Sequence, residues 1–467
     1  MKQNGKINIH GPNLCQKMED NLKLLLVSPL ASKSFLGGDF YFRLPYLGLL
    51  KVASLTPPNW DVSIIDEKVE SLDLTQGADL VGITAMTPAV NRAYEIADSF
   101  RSRGIKVIMG GMHVSKMPDE ALRHCDSVII GEAERLWDKA LNDCKRDELK
   151  SIYRHDNEYP SLANFPAPNW KLYEGKRYLP VHFLETTRGC PHNCEFCSVT
   201  NSFGGKFRNR PVDEVEREIQ DLKPFEGRFV LKNVVFFVDD NIISNRKHTK
   251  ELLSRIIPYN LKWTGQASVN IAKNNEILEL CKKSGCMGLV VGFESLSQGN
   301  LANMGKTFNT PDTYIDVVKK LHDYGIGVTG AFVFGFDYDD ESVFDRTIEF
   351  VIKAKIDVCY FSILTPYPGT RVYSQMLQEG RIIDHDWSNY NTNHVVFKPK
   401  LMKPEKLLDG FHHALKESFS YTAIFKRLWG NGTYKNFFYP MNFGFRQTVR
   451  KTIKNKQHFS YEEDPDS

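Results

Sequence analysis

A serial alternation of short apolar runs with stretches of helical periodicity leaves few folds open to this chain. In its first part the runs are residues 24–27, 62–66, 80–83, 107–109 and 127–130. Helical stretches lie between them, such as 89–103, where Val90, Ala93, Ile96, Ala97 and Phe100 recur at helical spacing. Short apolar runs with little polar alternation belong to strands covered on both faces. The pattern therefore predicts βα units around a doubly wound, Rossmann-like parallel sheet. In such a sheet a ligand binds beyond the carboxyl ends of the strands. Those ends carry Ser28-Pro29, Asp66, Thr84, Gly110-Gly111 and Gly131-Glu132, small and polar groups that let a large ligand approach the backbone. Glycine after a strand is equally ordinary turn chemistry.

Between about 151 and 178 the periodicity fades and Pro160, Pro166 and Pro168 interrupt it, as in a connector. The alternation then resumes with runs at 182–187, 234–238, 262–267, 288–293, 327–334 and 357–364. Helical stretches at 211–222, 247–257, 276–284, 311–324 and 341–354 separate them. Six βα units in series predict a partial (β/α)6 barrel of the TIM type, with its active face at the strand carboxyl ends. From about 380 strand character is lost. The expected division is 20–150 for the sheet domain, 151–179 for the linker, 180–377 for the barrel, and 378–467 for a mainly helical terminal region with an acidic disordered tail.

A hydrophobic share of 42% and a charged share of 25% suit a globular enzyme. No segment supplies the roughly 18 consecutive apolar residues of a membrane span. The nine cysteines are odd in number, the chain is long, and Lys2 to Gly5 do not begin a secretory signal, so reduced thiols in the cytoplasm are expected.

The sharpest chemical signal follows the first barrel run: Thr187-Arg188-Gly189-Cys190-Pro191-His192-Asn193-Cys194-Glu195-Phe196-Cys197. Three thiolates at spacings of four and three residues can converge on one metal centre. A [4Fe–4S] cluster held by three cysteines keeps one iron open to a ligand. A zinc site of three cysteines and His192 is the alternative, although zinc sites usually pair a CxxC with a distant second pair, which is missing here. Cys125, Cys144, Cys281, Cys286 and Cys359 read as packing residues, and Cys15 lies too near the terminus to assign.

With that triplet the sequence resembles the radical SAM superfamily, whose cluster motif CxxxCxxC is matched by Cys190, Cys194 and Cys197. The resemblance implies a 5′-deoxyadenosyl radical formed by one-electron cleavage of S-adenosylmethionine (SAM), with an external donor such as a flavodoxin or ferredoxin. It places Phe196 beside the adenine, Asp239 and Asp240 near the SAM amino group, and Gln266 and Ser268 at ribose or carboxylate. Glu294, closing the glycine motif 288–294, would reach SAM as well. The first part resembles the cobalamin-binding class of that superfamily through Pro45-Tyr46-Leu47-Gly48-Leu49-Leu50, Gly110-Gly111-Met112-His113 and Gly131-Glu132-Ala133-Glu134. This implies a cobalamin contacting Thr84, Gly110, Gly111, His113, Gly131 and Glu132. The Asp-x-His-x-x-Gly motif of other cobalamin proteins is absent after the first run, and His113 also reads as a brace for its loop.

The reaction so implied is C-methylation at an unactivated carbon of a lipid, tetrapyrrole or other small molecule, with cyclisation, rearrangement or coupling as alternatives. A metal-stabilised scaffold is the rival from outside enzymology. Residues 416–456 hold nine Lys or Arg, one acid and ten aromatics. They read as a helical cap filling the barrel's open side, or as a peripheral contact with the inner face of a membrane. A whole-chain charge of +3 and the lack of a recognisable RNA-binding domain argue against nucleic acid.

Overall fold

The computed structural model describes residues 21–31, 43–156, 159–222 and 234–454; Cys15 and the acidic tail lie outside them. The first domain is a six-stranded, wholly parallel sheet. Its strands are β1 (Leu22–Ser28), β2 (Trp60–Asp66), β3 (Leu80–Thr84), β4 (Lys106–Gly110), β5 (Ser127–Ile130) and β6 (Ile152–Arg154). They lie in the order β2-β1-β3-β4-β5-β6, so the topological switch falls between β1 and β3. Leu24 and Leu26 of β1 enter one core with Leu50 and Trp137, whereas Leu25 and Val27 enter another with Val90 and Phe100. The sheet is thus covered on both sides, as its unbroken apolar runs require. β6 falls in the stretch expected to be a connector; three residues are too few to leave a periodic signal.

The second domain begins with β7 (His182–Leu184). A two-residue ribbon follows, β8 (Thr187–Arg188) paired antiparallel with β9 (Arg208–Asn209). Then come β10 (Val234–Phe237), β11 (Lys262–Ala267), β12 (Cys286–Glu294), β13 (Gly327–Phe334) and β14 (Val358–Ile363). The order β14-β13-β12-β11-β10-β7 is parallel throughout, an open six-stranded β/α barrel. Along β11 the outward residues Trp263, Gly265 and Ala267 are buried, while Lys262, Thr264 and Gln266 are half-buried on the inner face. The five cysteines expected to pack are free and buried.

The helical terminal region does not cap the mouth. Helices Tyr421–Leu428 and Lys435–Lys454 pack beneath the barrel, at the amino ends of its strands. Phe438 fills the space left by Gly288 and Gly327; a Cβ on Gly327 would stand 2.2 Å from its ring. Arg427, wholly buried, donates to the carbonyls of Ile356 and Asp357 just before β14, at 2.7 and 2.9 Å. The expectation of a cap on the open side is corrected accordingly: six of the segment's ten aromatics are buried in the core or packed against it, Phe438 at the amino ends of the strands. Among the described residues no helix is long and apolar enough to cross a membrane.

Candidate cofactor site between the two domains

The cysteine loop spans 189–207 and is tied at its base by the β8–β9 ribbon. Gly189 has φ +88°, and a Cβ there would come within 2.7 Å of the Lys206 carbonyl, so the loop can leave the ribbon only through glycine. Three further contacts hold it. The Glu195 amide donates to the Met304 carbonyl at 3.1 Å, the Val372 amide donates to the Glu195 carbonyl at 3.3 Å, and Arg371 pairs with the Glu195 carboxylate at 2.5 Å. Cys190, Cys194 and Cys197 are half-buried. Burial pushes all three thiols up, Cys194 to about 12, while the nearby Lys306 ammonium pulls Cys190 and Cys194 the other way. His192 stacks on Phe308 with ring centroids 3.9 Å apart, and Phe196 meets Phe336 edge-on at 5.9 Å. Among the described residues no three His, Cys, Asp or Glu side chains gather closely enough for a single metal ion.

Strand ends close the mouth around this loop. Asp239 is fully buried and accepts from the Thr186 amide at 2.7 Å, the Thr187 amide at 3.0 Å and the Thr186 hydroxyl. Its carboxylate is consumed in clamping β10 to the approach of the cysteine loop. Asp240 accepts from the Gly189 amide at 3.1 Å. Burial pushes both carboxyls up to about 6. The Ser268 amide donates to the Asn241 side chain at 3.2 Å, and Gln266 stands in register with Val290 on the inner face. Glu294 holds φ +65°, a costly conformation for a residue with a side chain. The Asn309 amide fixes that turn by donating to the Gly292 and Phe293 carbonyls at 3.0 and 3.1 Å, and Lys306 pairs with Glu294 over Gly292.

Facing the loop is a cavity of about 780 Å³. Thr84, Gly110, Gly111, Gly131 and Glu132 line it from the sheet domain, and Phe183, Glu185, Arg188 and Phe203 from the barrel. A Cβ on Gly131 would meet nothing within 4 Å, so this backbone faces open space. One wall is a buried charge network. Arg188 pairs with Glu132 at 2.5 Å, Glu134 at 2.8 Å and Glu185 at 2.9 Å; Arg208 pairs with Glu132 at 2.5 Å, and Lys51 with Glu185. His113 does not line the cavity. It is buried, within 3.3 Å of the Thr87 hydroxyl and 3.4 Å of the Glu120 carboxylate, with Trp387 edge-on at 5.0 Å. It occupies the bracing position.

Comparison with known proteins bears on the whole of this architecture. The Radical SAM superfamily model matches residues 184–351, the B12 binding domain model matches 34–140, and a domain of unknown function matches 370–437. The bacteriochlorophyllide d C-12(1)-methyltransferase of Chlorobaculum tepidum is 34% identical over 446 residues, covering 94% of this chain and 96% of its own. The chain belongs to the cobalamin-binding radical SAM family. The hopanoid C-2 methylase of Rhodopseudomonas palustris is 27% identical over 384 residues, 78% of this chain and 72% of its own. The fold agrees with that of the radical SAM methyltransferase TsrM from Kitasatospora setae, solved with cobalamin and a [4Fe–4S] cluster (TM-score 0.64, 14% identity, 93% of this chain and 99% of that one).

This radical SAM enzyme, of the methyltransferase kind, therefore has a [4Fe–4S] cluster, SAM and cobalamin as its cofactors. Its residues fit them. Three half-buried thiols with a lysine beside two of them suit thiolate ligation to iron. SAM has a cationic sulfonium and a zwitterionic end, and Glu294, Asp240 and Gln266 stand at or just past strand ends beside the loop, with Lys306 reaching Glu294 from the turn after the next helix. A cavity lined mostly by apolar side chains, with glycine backbone at its edge and one charged wall, suits a corrin. The zinc reading of the triplet and the scaffold reading of the chain fall together. Lys306, Arg188, Arg208 and Glu185 escaped sequence reasoning; a lone charge has no periodicity, and only their partners make them notable.

Proposed function

We propose that the enzyme methylates an unactivated carbon of a largely apolar, ring-built small molecule, a tetrapyrrole first and a hopanoid-like polycycle second. The observation that carries this reading is the cavity, which faces the carboxyl ends of the sheet strands on one side and the cysteine loop on the other. When bound, the cluster and SAM supply a 5′-deoxyadenosyl radical and cobalamin supplies the methyl group. Cys190, Cys194 and Cys197 hold the cluster. Asp240, Gln266, Ser268 and Glu294 hold SAM, with Phe196 flanking its adenine. Thr84, Gly110, Gly111, Gly131 and Glu132 form the cobalamin wall, while Asp239 and His113 act as braces. A primary radical attacks whatever lies nearest, so the protein's task is placement and exclusion of water. The substrate class is supported by the 34% identity to an enzyme named for bacteriochlorophyllide d.

The test is anaerobic reconstitution with iron, sulfide and cobalamin, followed by methyl-labelled SAM and a bacteriochlorophyllide. Label in the macrocycle together with 5′-deoxyadenosine is the expected result. A changed macrocycle without label would replace methylation by cyclisation or rearrangement.

An external one-electron donor of the flavodoxin or ferredoxin type completes the reading. So does contact with an anionic membrane surface through 416–456. There Tyr421 and Phe425 on one helix and Trp429 just past its end recur every four residues and are exposed, Trp429 by 75%, beside Phe443 of the next helix and with Lys426 among them. Tyr439 bridges the two helices, 5.7 Å from Phe425 and 6.2 Å from Phe443. Aromatics of this kind favour a lipid interface, and basic residues add about 1 kcal/mol each near anionic lipid. The protein should sediment with phosphatidylglycerol vesicles and not with phosphatidylcholine ones. Trp429→Ser with Phe425→Ser should abolish the difference, and equal sedimentation with both lipids would remove this contact from the proposal.

A further inference from the structure

Apart from the charge network, the cavity wall carries one more half-buried cation, Lys116, at the end of the short helix Met112–Lys116 that follows Gly110-Gly111. The other charges lining that wall are matched: Lys51 by Glu185, and Arg188 by Glu132, Glu134 and Glu185. Arg154, also on the lining, is exposed to solvent. Among the described residues no carboxylate stands within ion-pair distance of Lys116. Its ammonium donates to the Asn201 carbonyl at 2.7 Å and to the Asn201 side-chain oxygen at 2.8 Å. An ammonium has three N–H donors, so two neutral acceptors leave one donor and the whole charge unanswered.

The placement is built rather than incidental. Asn201 belongs to helix Ser198–Phe203, which begins directly after Cys197, and its amide donates in turn to the Gly369 carbonyl. The stem of Lys116 lies on Gly369, whose missing Cβ would stand 2.8 Å from Cδ. Three segments from both domains thus converge to hold one ammonium at the cavity edge. Burial lowers its affinity for a proton, the expected result for a cation without a counter-charge.

We propose that Lys116 is the anion-binding position of the interdomain cavity, receiving an anionic oxygen of the occupant: the phosphodiester of the cobalamin nucleotide loop or a carboxylate of the substrate. This rests on cobalamin occupying the cavity. A charge-assisted hydrogen bond in a half-buried site corresponds to about ten- to hundredfold in affinity.

The experiment measures the dissociation constants of two ligand pairs on the reconstituted full chain, by absorption titration. One pair is cobalamin and cobinamide, which has the same corrin without the phosphodiester. The other is a chlorin with a free propionate and its methyl ester. Lys116→Met that weakens cobalamin about ten- to hundredfold and leaves cobinamide unchanged assigns the phosphodiester. Unchanged corrinoids with weakened binding of the free acid alone assign the carboxylate. Lys116→Arg should recover most of the loss, which a purely structural role would not do. Equal loss for both members of each pair, or no loss for any, overturns the proposal. Should Lys116→Met fold poorly, Lys116→Gln is read in its place. Wild-type protein that retains neither corrinoid would instead overturn the placement of cobalamin in this cavity.

Discussion

Cys194→Ala should bring release of 5′-deoxyadenosine from SAM down to the level of protein that has never seen iron, a loss well beyond about a hundredfold. Residues that merely orient metal ligands cost about 10- to 100-fold when removed, and a ligand itself counts for more. The triplet supplies three thiolates to a cluster of four irons, so removing one exposes a second iron. The one imidazole inside the loop, His192, has its ring stacked on Phe308. The Cys194 thiol is pushed up to about 12 by burial, so without iron it is a neutral group in a loop held by other contacts. Those contacts, from Glu195 to Met304, Val372 and Arg371, are untouched by the substitution. The variant should therefore keep the far-ultraviolet circular dichroism and the apo-protein melting temperature of the parent while losing its brown colour and bound iron. Cys281→Ala supplies the contrast: it removes a buried sulfur between a helix and β12, so it should lower stability and leave iron content unchanged. Retained cluster and undiminished 5′-deoxyadenosine in Cys194→Ala would overturn the assignment of the site.

The strands were legible because short apolar or alternating runs recur in series between helical stretches and turn residues, a pattern that belongs to βα units. Runs at 262–267 and 327–334 coincide with β11 and β13 to the residue. The triplet was legible because its three ligands lie within eight residues. What stayed hidden depends on distant partners. Glu132 meets Arg188 across 56 residues and Arg208 across 76, and Lys51 meets Glu185 across 134. Nothing local distinguishes these charges from solvated ones. Asp239 shows the converse: the sequence pattern puts it at a strand end beside Asp240, as a SAM contact, but backbone donors from Thr186 and Thr187 occupy it. Similarly, the basic aromatic composition of 416–456 announced an unusual segment without indicating which end of the barrel it would cover.

Glu132→Ala should cost about 3–5 kcal/mol of stability, the usual effect of removing one partner from a buried ion pair. The Glu132 side chain is 2% exposed and answers both Arg188 and Arg208. Three cations, Lys51, Arg188 and Arg208, face three carboxylates, Glu132, Glu134 and Glu185, so the network is neutral and the substitution leaves it at +1 in a desolvated wall. Arg188 keeps Glu134 and Glu185, but among the described residues Arg208 is left with the Pro160 carbonyl and the face of Tyr159. The penalty belongs to the stranded charge rather than to any net strength of the network, because buried ion pairs often do no better than apolar residues of the same shape. Glu132→Ala combined with Arg208→Ala should therefore be less destabilised than the sum of the two single changes, by at least about 1 kcal/mol in a double-mutant cycle. Since Glu132 belongs to the sheet domain and the two arginines flank the cysteine loop, the network is also a tie between the cofactor walls. Calorimetry of Glu132→Ala should resolve two transitions where the parent shows one, and cobalamin should dissociate more readily from the variant than from the parent. Additive energies with a single transition would mean that the network is a passive filling of the wall and that the domains are held together elsewhere, for example where Lys116 donates to Asn201 and Trp387 donates to Glu120.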